Sequence, residues 1–319
     1  MSDQQPARTR IGRYRLIRRL GSGAFATVWL AVDEALDIEV AIKVLADNWS
    51  FNPDVRERFL AEARLLRRIS SPRVVRVHDI GEVDQQPYFV MDLIEGGTLA
   101  DVTVDGVEAA ERLRLGAETA YAVHDLHLAG VAHRDIKPAN LLLDRTASPT
   151  RLLVTDLGTA KLLADGSGFT VTAGTPAYMA PEQVHGDVGI DARTDVYAVG
   201  VVAYELLSGR RPYEVSHLMA LTERGNERPA AIAAELGLPP GVDEVLAAAL
   251  SRDPVGRPAD ASKLGDLLAG LASDAGAAET PHVPARVRKE TPQWAMWAVI
   301  IAMIMTFGVA ATATWLLLN

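Results

Sequence analysis

The segment H-R-D-I-K-P-A-N, residues 133–140, concentrates side chains that could act on a phosphate ester. Asp135 can accept a proton from an alcohol whose oxygen attacks phosphorus, and Lys137 can neutralise the phosphoryl group in transfer. Asn140 can offer an oxygen to a divalent cation. Because Pro138 disfavours a regular helix, these side chains can converge on one point. The segment therefore predicts a loop suited to phosphoryl transfer.

A second hard oxygen ligand follows sixteen residues after Asn140, in the segment V-T-D-L-G. It places Asp156 at a predicted strand end, where the carboxylate and Asn140 would complete a Mg²⁺ site that bridges phosphates. Taken alone, the segment is equally compatible with a plain turn.

The segment V-A-I-K ends at Lys43 inside a predicted strand. A lysine in the interior of a strand needs an anionic partner. Glu62 lies between Phe59 and Leu65 in a predicted helix, and an ion pair between them would hold the ammonium against a phosphate. The alternative is two separate, solvated surface charges.

Gly21 and Gly23 belong to the segment G-S-G-A-F-A-T-V, between two predicted strands. Glycines there let the backbone turn tightly and approach phosphates, although an ordinary hairpin turn has the same composition. A dinucleotide-binding turn would be followed by a helix, and here a strand follows.

Short strands and one helix position these segments in the first half of the chain. Alternating apolar residues predict the strands, and helical spacing of apolar residues predicts the helix. The strands are expected at 14–20, 27–32, 39–45, 74–82 and 88–93, and the helix at 53–69. Further helices are expected at 110–128, 194–207, 242–250 and 261–271. The outline is a small β-rich lobe followed by a larger α-rich lobe.

The composition fits a folded protein and excludes several classes of function. The chain has 319 residues, of which 49% are apolar and 23% are charged, with a net charge of −9 and no cysteine. The acidic balance disfavours nucleic acid as a partner. The absence of cysteine excludes disulfides, thiolate metal sites and cysteine nucleophiles.

The C-terminal segment 294–318 contains no charged residue and predicts a membrane-spanning helix. Its length suffices to cross a hydrocarbon layer of about 30 Å, and tryptophans lie near both ends. A buried core helix is the alternative. Basic residues precede the segment, at Arg286, Arg288 and Lys289, and such flanks stay cytoplasmic.

The regions around this predicted span complete the domain organisation. Residues 1–13 are expected to form a polar N-terminal tail and residues 273–293 a juxtamembrane linker. Gly308 and Thr312 form a small-x-x-x-small pair, which makes a homodimer a candidate assembly.

Further motifs complete an ordered set. G-T-P-A-Y-M-A-P-E spans residues 174–182, D-V-Y-A-V-G spans 195–200, and D-P-V-G-R-P spans 253–258. With these motifs, the chain from about Arg13 to Gly270 resembles the eukaryotic-like serine/threonine protein kinases of bacteria. The resemblance implies an α+β bilobal protein-kinase fold over residues 14–272, protein substrates, and the use of ATP and Mg²⁺. With the predicted span, it implies a single-pass protein of the bacterial inner membrane whose kinase domain is cytoplasmic.

The resemblance also assigns roles to individual residues. Asp135 matches the catalytic base, Lys137 the residue that contacts the γ-phosphate, and Asn140 and Asp156 the Mg²⁺ ligands. Lys137 two residues after the aspartate is the serine/threonine pattern. The residues implied to bind ATP are Leu20, Gly21, Ser22, Gly23, Val28, Ala41, Lys43, Glu62, Met91, Asp92, Ile94 and Leu142.

The remaining implied roles concern regulation and support. Arg134 implies control by phosphorylation, with Thr170 and Thr172 as the phosphosites and unmodified loop threonines as the alternative. The residues implied to support the site are Arg134, Thr175, Asp195, and Glu182 paired with Arg257.

Two residues depart from the family pattern. Ala26 replaces the third glycine of the first motif, and Leu157 replaces the phenylalanine of D-F-G. A membrane-tethered pseudokinase that acts as a binding scaffold is the main alternative. A small-molecule phosphotransferase is a weaker one, since those enzymes lack the 174–182 segment.

Overall fold

The computed structural model describes residues 9–157, 176–185, 191–215 and 227–279. The chain divides at Glu279, and all of the described residues lie in the larger unit, Met1–Glu279. The predicted span at 294–318 and the threonines at 170, 172 and 175 lie outside the described residues. In the described ranges, no helix has the length and apolar character needed to cross a membrane.

A six-stranded antiparallel sheet forms the first half of the larger unit. Its strands are β1 (Arg10–Ile11), β2 (Tyr14–Ser22), β3 (Ala26–Asp33), β4 (Ile38–Leu45), β5 (Val77–Val83) and β6 (Gln86–Met91). The strand order is β1-β2-β3-β4-β6-β5, so β4 is covered on both edges. The final six residues of β4 are all buried, and this strand carries Lys43 into the interior.

One helix, α1 (Pro53–Arg68), packs against this sheet. The helix begins where the Asn52 side chain accepts hydrogen bonds from the amides of Asp54 (3.1 Å) and Val55 (3.2 Å). Such a cap satisfies amides that the first turn leaves unpaired. The buried face of α1 holds Val55, Phe59, Glu62, Ala63 and Leu66. Glu62 therefore faces the sheet with the apolar residues.

Helices dominate the second half of the unit. They are α2 (Ala109–Leu128), α3 (Ala192–Ser208), α4 (Ala233–Leu236), α5 (Gly241–Ala249) and α6 (Ala261–Glu279). Nearly all of α3 is buried. A Cβ added at Gly200 would lie 2.9 Å from the Ala249 Cβ, so a residue without a side chain lets α3 approach α5 closely.

A two-stranded hairpin of β7 (Leu141–Asp144) and β8 (Arg151–Val154) completes the framework of the site. The antiparallel register pairs Leu141 with Val154. Asn140 directly precedes β7 and Asp156 closely follows β8. The hairpin therefore brings the two predicted metal ligands to the same end.

The structure corrects two predicted boundaries. The tail predicted at 1–13 includes β1, because Ile11 is buried beside Tyr14 in a small apolar cluster. The linker predicted at 273–293 does not begin at Ser273, because α6 continues to Glu279. The added turns are rich in alanine, a strong helix former, and Ala275 is buried against the core.

Candidate active site

Lys43 is paired with two carboxylates in the interior of the site. The Lys43 Nζ atom lies 2.7 Å from Glu62 Oε1 and 2.8 Å from Asp156 Oδ1. The Lys43 and Glu62 side chains are 11% and 2% exposed, whereas Asp156 is 38% exposed. The structure therefore excludes the alternative in which Lys43 and Glu62 are two separate, solvated surface charges. The contact with Asp156 also joins β4 to the segment after β8.

The two carboxylates keep the ammonium charged. Burial disfavours the charged form of Lys43, but Asp156 and Glu62 outweigh it and raise the pKa of the ammonium. Burial likewise disfavours the charged form of Asp156, and Lys43 outweighs it and lowers the pKa of that carboxyl. The group is therefore ionised at neutral pH and can meet a phosphate with a positive charge.

Three side chains of the 133–140 segment converge, as the sequence predicts. Asn140 Nδ2 donates to the Asp135 backbone oxygen (2.9 Å) and to Asp135 Oδ2 (3.1 Å). Lys137 Nζ lies 3.1 Å from the same carboxylate oxygen. These contacts hold the Asp135 carboxylate in one orientation beside a cationic group.

The backbone of this segment is strained and is held by Asp195 of α3. Arg134 has a φ of 62°, a left-handed conformation that non-glycine residues rarely adopt. Asp195 Oδ1 accepts the Arg134 amide, and Asp195 Oδ2 accepts the His133 amide, both at 2.8 Å. His127 Nε2 lies 2.8 Å from Asp195 Oδ2. Burial disfavours the carboxylate, but its hydrogen bond from His127 and these other donors lower the Asp195 pKa.

His133 connects this segment to the residues before Asp156. Its Nδ1 accepts the Asp135 amide (3.3 Å), so its Nε2 donates to the Thr155 carbonyl oxygen (3.0 Å). The Thr155 amide in turn donates to the Asn140 carbonyl oxygen (3.0 Å). Asp156 then adopts a φ of 59°. The two predicted metal ligands are thus fixed to one another through their backbones.

Four apolar residues implied to bind ATP lie on neighbouring strands of the sheet and on the β7–β8 hairpin. Val28 pairs with Lys43, Ala41 pairs with Met91, and Leu142 bridges to Thr98. The Asp92 amide donates to the Arg76 carbonyl oxygen (3.1 Å). The Asp92 amide is therefore already engaged within the chain.

The glycine-rich turn lies between β2 and β3. Leu20, at 39% exposed, and Ser22 lie at the end of β2 with Gly21. A Cβ added at Gly21 would meet no heavy atom of the described residues within 4 Å, so its backbone borders open space. The Gly23 amide donates to the Ala26 carbonyl oxygen (2.8 Å) and closes the turn.

The two departures from the motif pattern fit the packing. Ala26 is the first residue of β3, so its extended backbone does not need glycine, and it is 8% exposed. Leu157 is 2% exposed and belongs to the main apolar cluster. A leucine thus fills the buried position beside Asp156.

Comparison with known families agrees with this geometry. The profile described as "Protein kinase domain" matches residues 14–262. This chain belongs to the protein kinase family. Within it, PknL of Mycobacterium tuberculosis is 35% identical over 273 residues, and PrkC of Bacillus subtilis is 35% identical over 255 residues. Both are named serine/threonine-protein kinases.

The similarity extends over most of this chain but less of these relatives. The PknL alignment covers 82% of this chain and 66% of PknL, and the PrkC alignment covers 77% of this chain and 38% of PrkC. The crystal structure of the M. tuberculosis PknI kinase domain superposes with a TM-score of 0.63 at 28% identity, over 82% of this chain and 96% of PknI's. The kinase fold and its two lobes are thus established.

Some residues that hold the kinase site were not found from the sequence. Gln183 Nε2 donates to the Arg134 carbonyl oxygen (3.1 Å), and Gln183 Oε1 accepts the Ala180 amide (2.9 Å). His127 was missed as well. No spacing relates these residues to the segment that they contact, so only the folded chain reveals them.

Glu182 and Arg257 form a buried ion pair beneath the kinase site. Arg257 Nη1 and Nη2 lie 2.6 and 2.8 Å from the two Glu182 oxygens, and the Arg257 side chain is 0% exposed. Arg257 also donates to the carbonyl oxygens of Ser251 and Arg193. Thr194 Oγ1 donates to Glu182 Oε1 (2.9 Å). The pair ties the 176–185 segment to α3 and to the loop before α6.

The ion pair predicts an acid-sensitive contribution to stability. Burial disfavours the Glu182 carboxylate, but Arg257 outweighs it and lowers the Glu182 pKa below its ordinary value of 4.5. The pair's stabilisation is therefore complete above about pH 4.5 and is lost as the pH falls through the folded pKa. We expect Glu182→Gln to be less stable than wild type by about 3 kcal/mol at pH 7. This difference should shrink as the pH falls below 4.5, as measured by chemical unfolding at several pH values.

Glu57→Gln is the matched control for this measurement. Glu57 pairs with Arg64 at 2.8 Å, but the two side chains are 69% and 51% exposed. An exposed pair contributes little, so its removal should leave stability nearly unchanged at every pH. A constant difference between Glu182→Gln and wild type across the acid range would contradict the prediction.

Proposed function

We propose that this chain is a Mg²⁺- and ATP-dependent serine/threonine protein kinase anchored to the cytoplasmic face of a bacterial membrane. The observation that carries the activity is the joint placement of two groups of side chains. Lys43 lies between Glu62 and Asp156, and Asp135 is oriented by Lys137 and Asn140. One group suits the phosphates of a nucleotide and the other suits the reacting hydroxyl.

Oxygen donors of the described residues fit Mg²⁺. Asn140 turns its amide nitrogen toward Asp135, which leaves the amide oxygen for a cation, and Asp156 is partly exposed. No cluster of three or more acidic or histidine side chains suited to a metal occurs in the described ranges. A cation here would rely on Asn140, Asp156 and the nucleotide phosphates. When bound, Mg²⁺ supplies charge neutralisation between phosphates.

The reaction needs one proton acceptor and charge stabilisation from the chain. The hydroxyl of a serine or threonine gives its proton to the Asp135 carboxylate as its oxygen bonds to the γ-phosphorus. The bond between that phosphorus and the β,γ-bridging oxygen breaks, and ADP leaves. Lys137 stabilises the charge on the phosphoryl group, and Lys43 holds the remaining phosphates. Serine and threonine as acceptors rest on Lys137 following Asp135 by two residues and on the names of the relatives.

Membrane anchoring is supported by sequence. The segment 294–318 lacks charge, and the basic residues before it favour a cytoplasmic kinase domain. A homodimer through Gly308 and Thr312 belongs to the same proposal.

Arg134 supports regulation by phosphorylation. Within the described residues, its guanidinium has no hydrogen-bond or ion-pair partner, and a phosphothreonine would supply one. We infer that Thr170 and Thr172 are autophosphorylated.

Two measurements test this proposal. Purified full-length chain in detergent, incubated with Mg²⁺ and ATP, should gain phosphate by intact mass and should phosphorylate a generic protein substrate. Fragment spectra should locate phosphate at Thr170 and Thr172, and Thr170→Ala/Thr172→Ala should lose it. A chain that binds ATP but transfers no phosphate would instead be the scaffold.

A charge placed in the predicted span should release the protein from membranes. We expect Ile301→Arg/Met305→Arg to shift the chain into the soluble fraction, because arginine is costly at the centre of a bilayer. Gln293→Arg, just before the span, is the control and should stay with the membrane. Retention of the doubly charged variant would overturn the anchor.

A further inference from the structure

We propose that Trp49 is a positioning residue that fixes the tip of the glycine-rich turn and thereby sets the affinity for nucleotide. The tip is defined as Ala24 and Phe25. The inference rests on the proposed use of ATP and adds a residue that lies outside every motif of the sequence.

The Trp49 side chain holds the tip by two contacts. Its Nε1 donates to the Ala24 carbonyl oxygen at 3.0 Å. Its ring lies against the Phe25 ring, with centroids 5.2 Å apart and planes at 39°. The neighbouring Ala46 amide donates to the Phe25 carbonyl oxygen (2.8 Å). Both carbonyl groups of the tip are therefore engaged by the segment that follows β4.

These contacts set the direction of a backbone amide. A planar trans peptide directs its N–H group opposite to its C=O group. With the Ala24 carbonyl group turned toward Trp49, the Phe25 amide points away from Trp49. An amide held in one direction is the kind of donor that a phosphate needs. Because the amide is already ordered in the free protein, ordering it adds less to the free-energy cost of binding.

Trp49 is itself held by its surroundings. It ends a short 3-10 helix, Asp47–Trp49, whose first residue accepts a hydrogen bond from Gln86 Nε2 at 2.6 Å. The same Gln86 nitrogen donates to the Leu45 carbonyl oxygen (2.7 Å). The Asn52 amide donates to the Trp49 carbonyl oxygen (3.0 Å). The short helix that carries Trp49 is thus tied to β6 on one side, and the Trp49 backbone is tied to the cap of α1 on the other.

The same helix α1 carries Glu62, the partner of Lys43. Both features are therefore attached to one helix: the tip through Trp49 and Asn52 at its start, and the ion pair through Glu62 at its middle. A displacement of α1 that separates Glu62 from Lys43 would also pull on Trp49 and the tip.

Substitutions at Trp49 separate its two contacts. Trp49→Phe keeps an aromatic ring and removes the donor, whereas Trp49→Ala removes both. In the full-length chain, we expect the dissociation constant for Mg²⁺-ADP to rise about fivefold in Trp49→Phe, the factor that one net hydrogen bond provides. Trp49→Ala should show a larger rise, and kcat should change less than the KM for ATP in both variants.

Trp29→Phe is the matched control. Trp29 lies on β3, pairs with Ile42, and packs against the small apolar cluster that contains Ile11 and Tyr14. It should leave nucleotide affinity unchanged. Thermal unfolding of each variant identifies any general loss of stability, and Trp49→Phe keeps the test valid if Trp49→Ala does not fold.

Hydrogen exchange of the nucleotide-free chain gives a readout that does not depend on catalysis. The amides of Gly23 and Ala46 should exchange faster in the Trp49 variants and at the wild-type rate in Trp29→Phe. Unchanged exchange, or unchanged affinity with faster exchange, would overturn the inference. A fall in kcat alone would also overturn it, because the effect would then reach the site through Glu62. A wild type that binds Mg²⁺-ADP but transfers no phosphate would overturn the proposed function and leave this inference standing.

Discussion

Asp135→Asn is expected to lower the rate of phosphoryl transfer by about 10²–10⁴-fold, the range for loss of a general base. The asparagine side chain has the same shape, and its oxygen can still meet Lys137 and Asn140, which lie 3.1 Å from the Asp135 carboxylate. It cannot accept the proton of the incoming hydroxyl. Nucleotide affinity should stay near that of wild type, because Asp135 is not among the groups proposed to hold ATP.

Initial rates with a generic protein substrate and a direct nucleotide-binding measurement check this result. Asp105→Asn, an exposed aspartate in the short 3-10 helix before α2, is the matched control and should retain full activity. Activity near wild type in Asp135→Asn would remove Asp135 from the role of base. Loss of nucleotide binding in that variant would show that the substitution disrupts the site as a whole.

Lys43→Met should lower the rate of phosphoryl transfer by about 10²–10³-fold and also destabilise the fold. The variant loses the cation proposed to hold the phosphates, a loss of about 10²–10³-fold for one stabilising group. It also removes the ion pair between Lys43 and Glu62, whose side chain is 2% exposed. Removing one member of a buried pair costs about 3–5 kcal/mol, and the lower end is expected because Asp156 is 38% exposed and keeps contact with solvent.

The double variant Lys43→Met/Glu62→Gln separates stability from activity. Replacing the glutamate removes the buried negative charge that has lost the Lys43 ammonium, so the free energy of unfolding should recover part of the way to wild type. Activity should not recover. Arg64→Met, which breaks the exposed pair with Glu57, is the control and should cost less than about 1 kcal/mol. If the double variant is no more stable than Lys43→Met, the buried negative charge of Glu62 is not the source of the loss.

The parts of the fold found from the sequence are those with strong local patterns. Helix α1 was expected at 53–69 and spans Pro53–Arg68, because Asn52 and Pro53 mark its start. Strand β4 was expected at 39–45 and spans Ile38–Leu45. The continuous apolar run of β4 is typical of a buried strand. The apolar residues of α1 recur at a spacing that only a helix places on one buried face.

The parts that were not found depend on contacts between distant residues. Strand β1 has two residues, too few for a period, and forms because Ile11 can be buried. The continuation of α6 to Glu279 lies in a stretch whose alanines and glycines also suit a linker. Trp49 lies in no motif, and its partner Ala24 is 25 residues earlier in the chain.

The contacts within the site also fall into two groups, those expected from the sequence and those that only the fold reveals. The meeting of Asp135 with Asn140 followed from one short segment, and that of Lys43 with Glu62 followed from the resemblance to kinases, since residue type and spacing alone left two solvated charges as the alternative. The contact between Lys43 and Asp156 did not, since the two are 113 residues apart. Nor did the strained backbone of Arg134, because the conformation of a non-glycine residue at positive φ is imposed from outside its own segment.

The dependence of Arg134 on Asp195 has a consequence for the newly made protein. A growing chain that has emerged only as far as Thr155 already contains Lys43, Asp135 and Asn140. The carboxylate that holds the 133–134 amides is in α3, 61 and 62 residues later, so these amides have no anchor until that helix emerges and docks. We therefore expect the 133–140 segment to acquire its folded shape late in synthesis. A nascent chain should be unable to transfer phosphate from ATP before the helical lobe, which contains Asp195, has folded.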